Sequence, residues 1–264
     1  MKIAFWSNSR GSSGVTSNLA CIAMQLYLSE SKRILVFENH QNVNNLGNVF
    51  SGQPSNEIVK EQGVYQTDCS IENILLHMRD DTNTMMSNGK FINEKQLCYL
   101  PRSRNFNQEF LEFQLSQQLI PFLDYAEKTW DHICMDISPT EFLSSQAILR
   151  EADLVVVSLA QNPRQWENFF RNYSSIQNKA FYILGYYNAK SIYSLNKFCT
   201  SYGIHPDRVG KIPYNINFSD AISRGMLIPF LQSKANQKFV TQVNETISKL
   251  ELFGKRVLQE RRHA

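Results

Sequence analysis

Apolar residues along the chain fall into short continuous runs, separated by longer stretches in which they recur every three or four positions. The first run, KIAFW at residues 2–6, predicts a buried strand, and RILVF at 33–37 predicts a second. Between them lies a polar loop containing glycine, SNSRGSSG, followed by Leu19, Ile22, Ala23 and Leu26 at the spacing of one helix face. Strand, loop, helix and strand in this order make a βαβ unit, which implies a parallel sheet.

The alternation continues. LCYLP at 97–101 predicts a strand that ends at Pro101. HICMD (132–136), LVVVS (154–158), AFYILGYY (180–187) and RVGKIP (208–213) predict four more, with helical periodicity between them. Near-continuous apolar strands are those buried on both faces. The fold class expected is therefore α/β, a mostly parallel twisted sheet with helices on both faces. Residues 109–127 carry Phe110, Phe113, Leu115, Leu119 and Leu123 in a helical pattern, interrupted or kinked near Pro121. Residues 40–95 are rich in Asn, Ser, Gln and Gly and predict loops and short helices, with one helical patch at SIENILLHM. From about residue 237, Val240, Val243, Ile247 and Leu250 define one face of a C-terminal helix. No repeat, low-complexity tract or linker divides the chain, so one domain over residues 1–264 is expected.

A chain of 264 residues can bury a core without staples. Its net charge of +3 is too small to point to nucleic acid or a membrane surface. Five cysteines, an odd number without C-x-x-C spacing, argue against a disulfide framework or zinc site and fit a reducing, cytoplasmic setting. The opening apolar residues run at once into Ser-Asn-Ser-Arg, which is not the pattern of a signal peptide. No stretch reaches the roughly 20 apolar residues that span a bilayer.

Candidate chemistry is concentrated in the first loop, Arg10-Gly11-Ser12-Ser13-Gly14-Val15-Thr16-Ser17. A glycine loop between a strand and a helix gathers backbone N–H groups at a helix N-terminus, whose partial positive charge favours phosphate. Thr16 stands where a hydroxyl can reach magnesium. The standard pattern, G-x-x-x-x-G-K-[ST], has a lysine just before that hydroxyl, and this chain has Val15. Taken alone, the loop fits equally well a tight turn leading into a Ser/Thr-rich helix start.

Further motifs follow in an order that resembles the MinD/ParA family of P-loop proteins, whose deviant loop reads K-G-G-x-G-K-[ST]-[ST]. Arg10 stands at the family's signature lysine, Gly11 and Gly14 at glycines, Ser12 in place of another, and Thr16-Ser17 at the hydroxyl pair. In VFENHQN, Glu38 and His40 stand at the two aspartates of the family's Asp-x-Asp-Pro-Gln. The run from Trp130-Asp131 to Asp136-Ile137-Ser138-Pro139 matches the approach to the Walker B aspartate, and Ala152-Asp153 precedes the next strand as in the family. Asn188 and Ile212-Pro213 stand where the family lines its adenine pocket, and DAISRGMLIPF at 220–230 echoes its closing segment. The resemblance runs from residue 2 to about 235, and the overall order is most similar to the pilus-assembly and localisation branch, the TadZ/CpaE-like proteins.

The resemblance implies ATP and Mg2+ as cofactors. Residues 10–17, Asn188, Ile212 and Pro213 would hold the nucleotide, and Thr16, Glu38 and Asp136 the metal shell. Arg10 would contact phosphate across a dimer interface, where its planar fork suits a bidentate contact. Arg10, His40 and Asp136 are the candidates for a catalytic part, although Val15 and His40 both replace charge-handling groups of the family and make hydrolysis weak or absent. The plainer alternatives are a solvated loop arginine, turn glycines, a helix-start hydroxyl at Thr16 and a strand-end cap at Glu38. Tyr186, Tyr187 and Trp166 are expected in the core or an interface rather than as a stacking surface. The basic end KRVLQERRHA is expected to be a solvated helix end more than a lipid contact.

The function expected is a nucleotide-responsive, dimerising scaffold or localisation factor for a larger assembly such as a pilus secretion machine, recruited by partners to the inner face of the membrane. An active ATPase with a rearranged site and a nucleotide-free interaction protein are the alternatives. Nucleic acid is disfavoured as a partner.

Overall fold

The structure, a computed structural model, describes residues 1–30, 32–42, 45–50, 70–77, 90–93, 96–103, 105–139 and 142–263. Along the chain they form β1 (Lys2–Trp6), α1 (Val15–Glu30), β2 (Ile34–Glu38), α2 (Leu46–Phe50), α3 (Ile71–His77), β3 (Lys90–Asn93), β4 (Leu97–Leu100), α4 (Gln108–Glu127), β5 (His132–Asp136) and α5 (Leu143–Glu151). They continue with β6 (Leu154–Leu159), α6 (Pro163–Asn172), α7 (Ser174–Gln177), β7 (Ala180–Tyr187), α8 (Leu195–Tyr202), β8 (Val209–Pro213), α9 (Ile216–Ser223), α10 (Leu227–Gln232) and α11 (Gln237–His263).

These strands make one sheet of eight in the order β3-β4-β2-β5-β1-β6-β7-β8. From β4 to β8 every pairing is parallel, and β3 joins β4 antiparallel. Alternate residues of each strand feed opposite faces, as the period of two requires. Ile3, Phe5, Ile34, Val36, Val156 and Phe181 pack under α1, α9, α10 and α11. Ala4, Leu35, Phe37, Met135, Val157 and Tyr182 pack under α3, α4, α6 and α8. The expected α/β class, with helices on both faces, is the observed one.

Three details differ from expectation. Residues 40–95 hold an edge strand, β3, besides the expected helical patch at α3. Residues 51–69 and 78–89, with Cys69, lie outside the described residues. Next, α4 is one continuous helix through Pro121. Pro121 and Gln117, whose carbonyl loses its helical donor, both face solvent, where water can satisfy that carbonyl. Finally, β2 begins one residue later than expected and reaches Glu38, which brings that carboxylate into the sheet. Cys21, Cys98, Cys134 and Cys199 are buried free thiols, and burial pushes the Cys134 thiol up to about 12.

The C-terminal helix spends its apolar stripe, Val240, Val243, Ile247, Leu250 and Val257, on the protein's own core. Arg261 donates to Asp153 at 3.1 Å and to the Ala152 carbonyl. Little of that face is left to offer a lipid surface. Among the described residues no helix is long and apolar enough to cross a membrane.

Strand β8 is a sheet edge, whose outward backbone groups need partners. Thr246 of α11 supplies them: Lys211 N–H donates to its Oγ1 at 3.0 Å, and that hydroxyl donates to the Lys211 carbonyl at 2.9 Å. Gly210 permits the approach, because a Cβ there would lie 2.3 Å from Thr246 Cγ2. Thr246→Val keeps the shape and strands both Lys211 groups. It is expected to cost about 1–3 kcal/mol in urea unfolding with an unchanged slope.

Candidate functional site

The end of β1 sits between two neighbours whose ends bear on it. Phe5 is in register with Asp136 of β5 and with Val156 of β6. Residues 7–14 then form the loop into α1. Gly11 and Gly14 adopt φ of +76° and +66°, a region in which side chains are strained. Buried polar contacts hold the loop's inner side. Ser13 Oγ donates to Ser7 Oγ at 2.9 Å, and Gln165 Nε2 donates to Ser7 Oγ and Ser9 Oγ. Asn18 Nδ2 donates to the Ser13 carbonyl and to Ser158 Oγ.

The outer side is different. Asn18 N–H closes the first helical bond to Gly14. From Gly11 to Ser17 the backbone N–H groups have no acceptor among the described residues. They stand at the N-terminus of a 16-residue helix, where orphan donors and the helix dipole together favour an anion. Arg10 and Ser12 are exposed at the tip, and Arg10 makes no ion pair among the described residues. Val15 packs inward against the core. The Thr16 and Ser17 hydroxyls, half-buried, make no hydrogen bond among the described residues, and none joins Thr16 to Glu38 or Asp136.

Strand β7 runs against this loop. A Cβ on Gly185 would lie 2.2 Å from the Ser13 carbonyl, so only glycine fits. Tyr186 has φ +48°, the one positive φ outside glycine among the described residues, and its ring lies over Gly14. Backbone strain of this kind costs about 1–3 kcal/mol and persists only where surroundings enforce it. Tyr186 is 38% exposed, which excludes it from the core and leaves it on the loop's surface. Trp166 is core, at 2% exposed.

On the other side of β1, Glu38 and Asp136 lie in register at the ends of β2 and β5. His40 joins them, and all three are buried, with ligand atoms within 4.8 Å of one another. His40 Nε2 lies 3.4 Å from Asp136 Oδ2, an ion-pair contact rather than a tight hydrogen bond, and that oxygen accepts none. Asn42 N–H donates to His40 Nδ1 at 3.4 Å, so the neutral ring carries its hydrogen on Nε2, facing the carboxylate, and protonation of Nδ1 gives up the Asn42 contact. Glu38 accepts from Tyr99 OH at 2.6 Å and from Leu46 N–H at 3.0 Å. Asn39 ties the strand ends: its N–H donates to the Asp136 carbonyl, and its side chain bonds Ser138, Ser144 and Ser145.

Burial raises the Glu38 carboxyl to about 7, against the lowering effects of His40, Tyr99 and Leu46. Burial alone would lower His40; its contact with Asp136 and the charges of Asp136 and Glu38 outweigh this and raise it. The residues fit a hard divalent cation in kind, since oxygen donors are what Mg2+ takes and Asp136 Oδ2 is buried without a hydrogen bond. The His40 Nε2–H, facing the same oxygen, competes for that place.

Beyond Tyr186 the strand end opens on a cavity of about 390 Å³ lined by Tyr187, Asn188, Lys190, Lys211, Pro213 and Gln242, among others. Asn188 and Pro213, far apart in sequence, thus share one wall. Ile212 points the other way, into the core. Sequence reasoning missed Tyr186 over Gly14, the two cavity lysines and the closeness of His40 to Asp136. The first has no sequence signal. Of the rest, Lys211 follows from its place on the edge strand β8, and the approach of His40 to Asp136 follows from β2 and β5 being neighbours.

No protein-family model and no curated protein sequence matches the chain. Solved structures do. MinD from Pyrococcus horikoshii OT3, complexed with Mg-ADP, superposes with a TM-score of 0.70 at 12% identity, over 94% of this chain and 95% of that one. A ParA family ATPase from Chlorobium tepidum TLS gives 0.68 at 13% identity, over 92% and 98%. A plasmid partition protein from Borrelia burgdorferi B31, bound to AMPPNP, gives 0.65 at 16% identity, over 94% and 97%. The fold is shared with the MinD and ParA ATPases. Those similarities concern the fold.

The buried cluster makes stability depend on pH. Folding favours the protonated forms of Glu38 and His40. Their stabilisation is full below the unfolded values of 4.5 and 6.5, and is lost as pH rises through about 7 for Glu38 and through the raised value of His40. Urea unfolding in chelator between about pH 5 and 8 should show wild-type stability falling, and falling less in Glu38→Gln. Parallel curves for the two proteins would mean that Glu38 is already ionised in the folded state.

Proposed function

We propose that the chain is a nucleotide-binding, dimerising scaffold of the MinD/ParA kind with slow or absent hydrolysis. The observation that carries this is the loop itself. Seven consecutive N–H groups, Gly11 to Ser17, have no acceptor among the described residues and stand at a helix N-terminus, on the edge where the parallel strands end. In open α/β sheets ligands bind at that edge. Mg-ADP in the Pyrococcus relative and AMPPNP in the Borrelia relative support a nucleotide there. ATP is the nucleotide the resemblance carries, with Mg2+ held by Thr16, Glu38 and Asp136. The metal would supply positive charge to the β- and γ-phosphates.

Two features speak for weak hydrolysis. Val15 turns inward where the family places a cation that stabilises transferring phosphate. His40, whose Nδ1 accepts from Asn42 and whose Nε2 faces Asp136, is not a free base. Dimerisation has its own support. Arg10 is exposed at the loop tip, and Ile192, Tyr214 and Ile216, at 75%, 58% and 58% exposed, follow β7 and β8 on the same edge. A two-fold face there would bury them and let each Arg10 reach the other subunit's phosphates. The partner assembly we favour is a pilus or secretion machine, as in the TadZ/CpaE-like branch.

Sedimentation with and without Mg-nucleotide tests the reading. A monomer should become a dimer, and Arg10→Ala should weaken the dimer at least about tenfold. Turnover should stay below about 1 s⁻¹. A monomer at saturating nucleotide, a dimer indifferent to nucleotide and to Arg10, or fast hydrolysis abolished by Asp136→Ala would each contradict it.

A further inference from the structure

The cluster at the ends of β2 and β5 is more than a pair of strand-end carboxylates, because an imidazole nitrogen completes it. Glu38, His40 and Asp136 are all buried, and each offers one ligand atom within 4.8 Å of the other two. Among the described residues no other group of three His, Cys, Asp or Glu side chains converges in this way. His40 Nε2 and Asp136 Oδ2 stand 3.4 Å apart. Two ligands each about 2.1 Å from a tetrahedral ion are about 3.4 Å apart. Asp136 Oδ2 is buried and accepts no hydrogen bond. A buried carboxylate oxygen without a donor is costly, and a cation bonded to it removes that cost.

The ligands are held from behind. Tyr99 OH and Leu46 N–H donate to the two Glu38 oxygens and leave each a second lone pair. Asn39, between Glu38 and His40 in the chain, donates its N–H to the Asp136 carbonyl and so keeps the two strand ends together. Outer contacts of this kind orient metal ligands. The charge also suits a divalent ion. Two carboxylates face a neutral imidazole, and Arg102, whose charge reaches His40, is itself paired with Glu72. Mg2+ takes oxygen donors and dehydrates reluctantly. A ring nitrogen in a buried site suits a borderline first-row ion such as Zn2+. The Thr16 hydroxyl makes no hydrogen bond to either carboxylate, so the cluster stands without the glycine loop.

We propose that Glu38, His40 and Asp136 form a Zn2+-class metal site that fills without nucleotide, with His40 Nε2 as the ligand that selects this class of ion over Mg2+. The site shares Glu38 and Asp136 with the magnesium shell of the function proposed above but does not rest on that reading. On binding, the ion takes the place of the hydrogen on His40 Nε2. The neutral ring then carries its hydrogen on Nδ1, and the 3.4 Å contact from Asn42 N–H is given up. Any proton on Glu38 leaves to solvent. Three protein ligands leave the fourth tetrahedral position to water. The Asn42 amide, at the start of the loop after β2, thereby reports occupancy of the site.

Titration calorimetry on the full chain, stripped of metal by chelator and free of nucleotide, tests this with Zn2+ and Mg2+ as the probes. Zn2+ should bind one to one, at least about a hundredfold more tightly than Mg2+, and should raise the urea midpoint of unfolding. In the wild type, Zn2+ should also shift the Asn42 amide resonance. His40→Ala should weaken Zn2+ binding at least about tenfold. His40→Asp, which puts an oxygen donor in place of the nitrogen, should narrow the preference for Zn2+ over Mg2+. His205→Ala, at the exposed pair with Asp207, should change nothing. Equal binding of the two ions, an Asn42 amide indifferent to Zn2+, or no Zn2+ binding by folded wild type overturns the site, and these three readings need no variant to fold. Zn2+ binding that survives His40→Ala or is lost in His205→Ala overturns it as well. Since no nucleotide is present, each of these failures leaves the nucleotide reading in place.

Discussion

The contact between the end of β7 and the glycine loop is the constraint on which the site depends. Gly185 has no room for a side chain because the Ser13 carbonyl occupies that space. The next residue, Tyr186, has positive φ and its ring lies over Gly14. The strain is held by β7 on one side and by the Ser7, Asn18 and Gln165 network on the other. The result is a loop whose inner polar groups are hydrogen-bonded and whose outer N–H groups have no acceptor among the described residues. It also joins the loop to the cavity at Asn188 and Pro213, so that loop and cavity form one continuous surface.

Charge at this edge is arranged differently from the resembled family. Where that family has a lysine this loop has Val15, which packs against the core, and the loop's cation is the exposed Arg10. On the neighbouring strand ends, two buried carboxylates face an imidazole. A buried pair of like charges is costly unless a cation or a proton relieves it. Here a proton does so: burial holds Glu38 up to about 7, and His40 is drawn toward its charged form by Asp136. A metal ion entering the cluster would have to displace that arrangement. Under the function proposed above, this arrangement suits binding a nucleotide more than hydrolysing it.

Much of the fold was legible in the pattern of apolar positions, because strands buried on both faces leave continuous runs that β1, β2, β5, β6 and β7 all show. The edge strand β3 was not, since its pairing with β4 is a tertiary event that a polar stretch does not announce. Pro121 misled because the pattern alone does not say that its turn faces solvent. At the site, Glu38, His40 and Asp136 were each singled out from sequence, but their meeting depends on β2 and β5 being neighbours in register. Lys211 drew no notice: a lysine within an apolar run reads as a solvated edge residue until the strand's outer neighbour, α11, is known.

The function proposed here makes residues 11–17 a phosphate-binding loop continuous with the cavity at Asn188. Backbone amide NMR of the folded chain, titrated with a Mg-nucleoside triphosphate, tests it most directly. The account predicts that the largest shifts and the strongest protection from exchange fall on the N–H groups of Gly11 to Ser17, with a second set at Tyr186 to Lys190. Shifts confined to other surfaces, or a loop whose amides do not respond at saturating nucleotide, would contradict it.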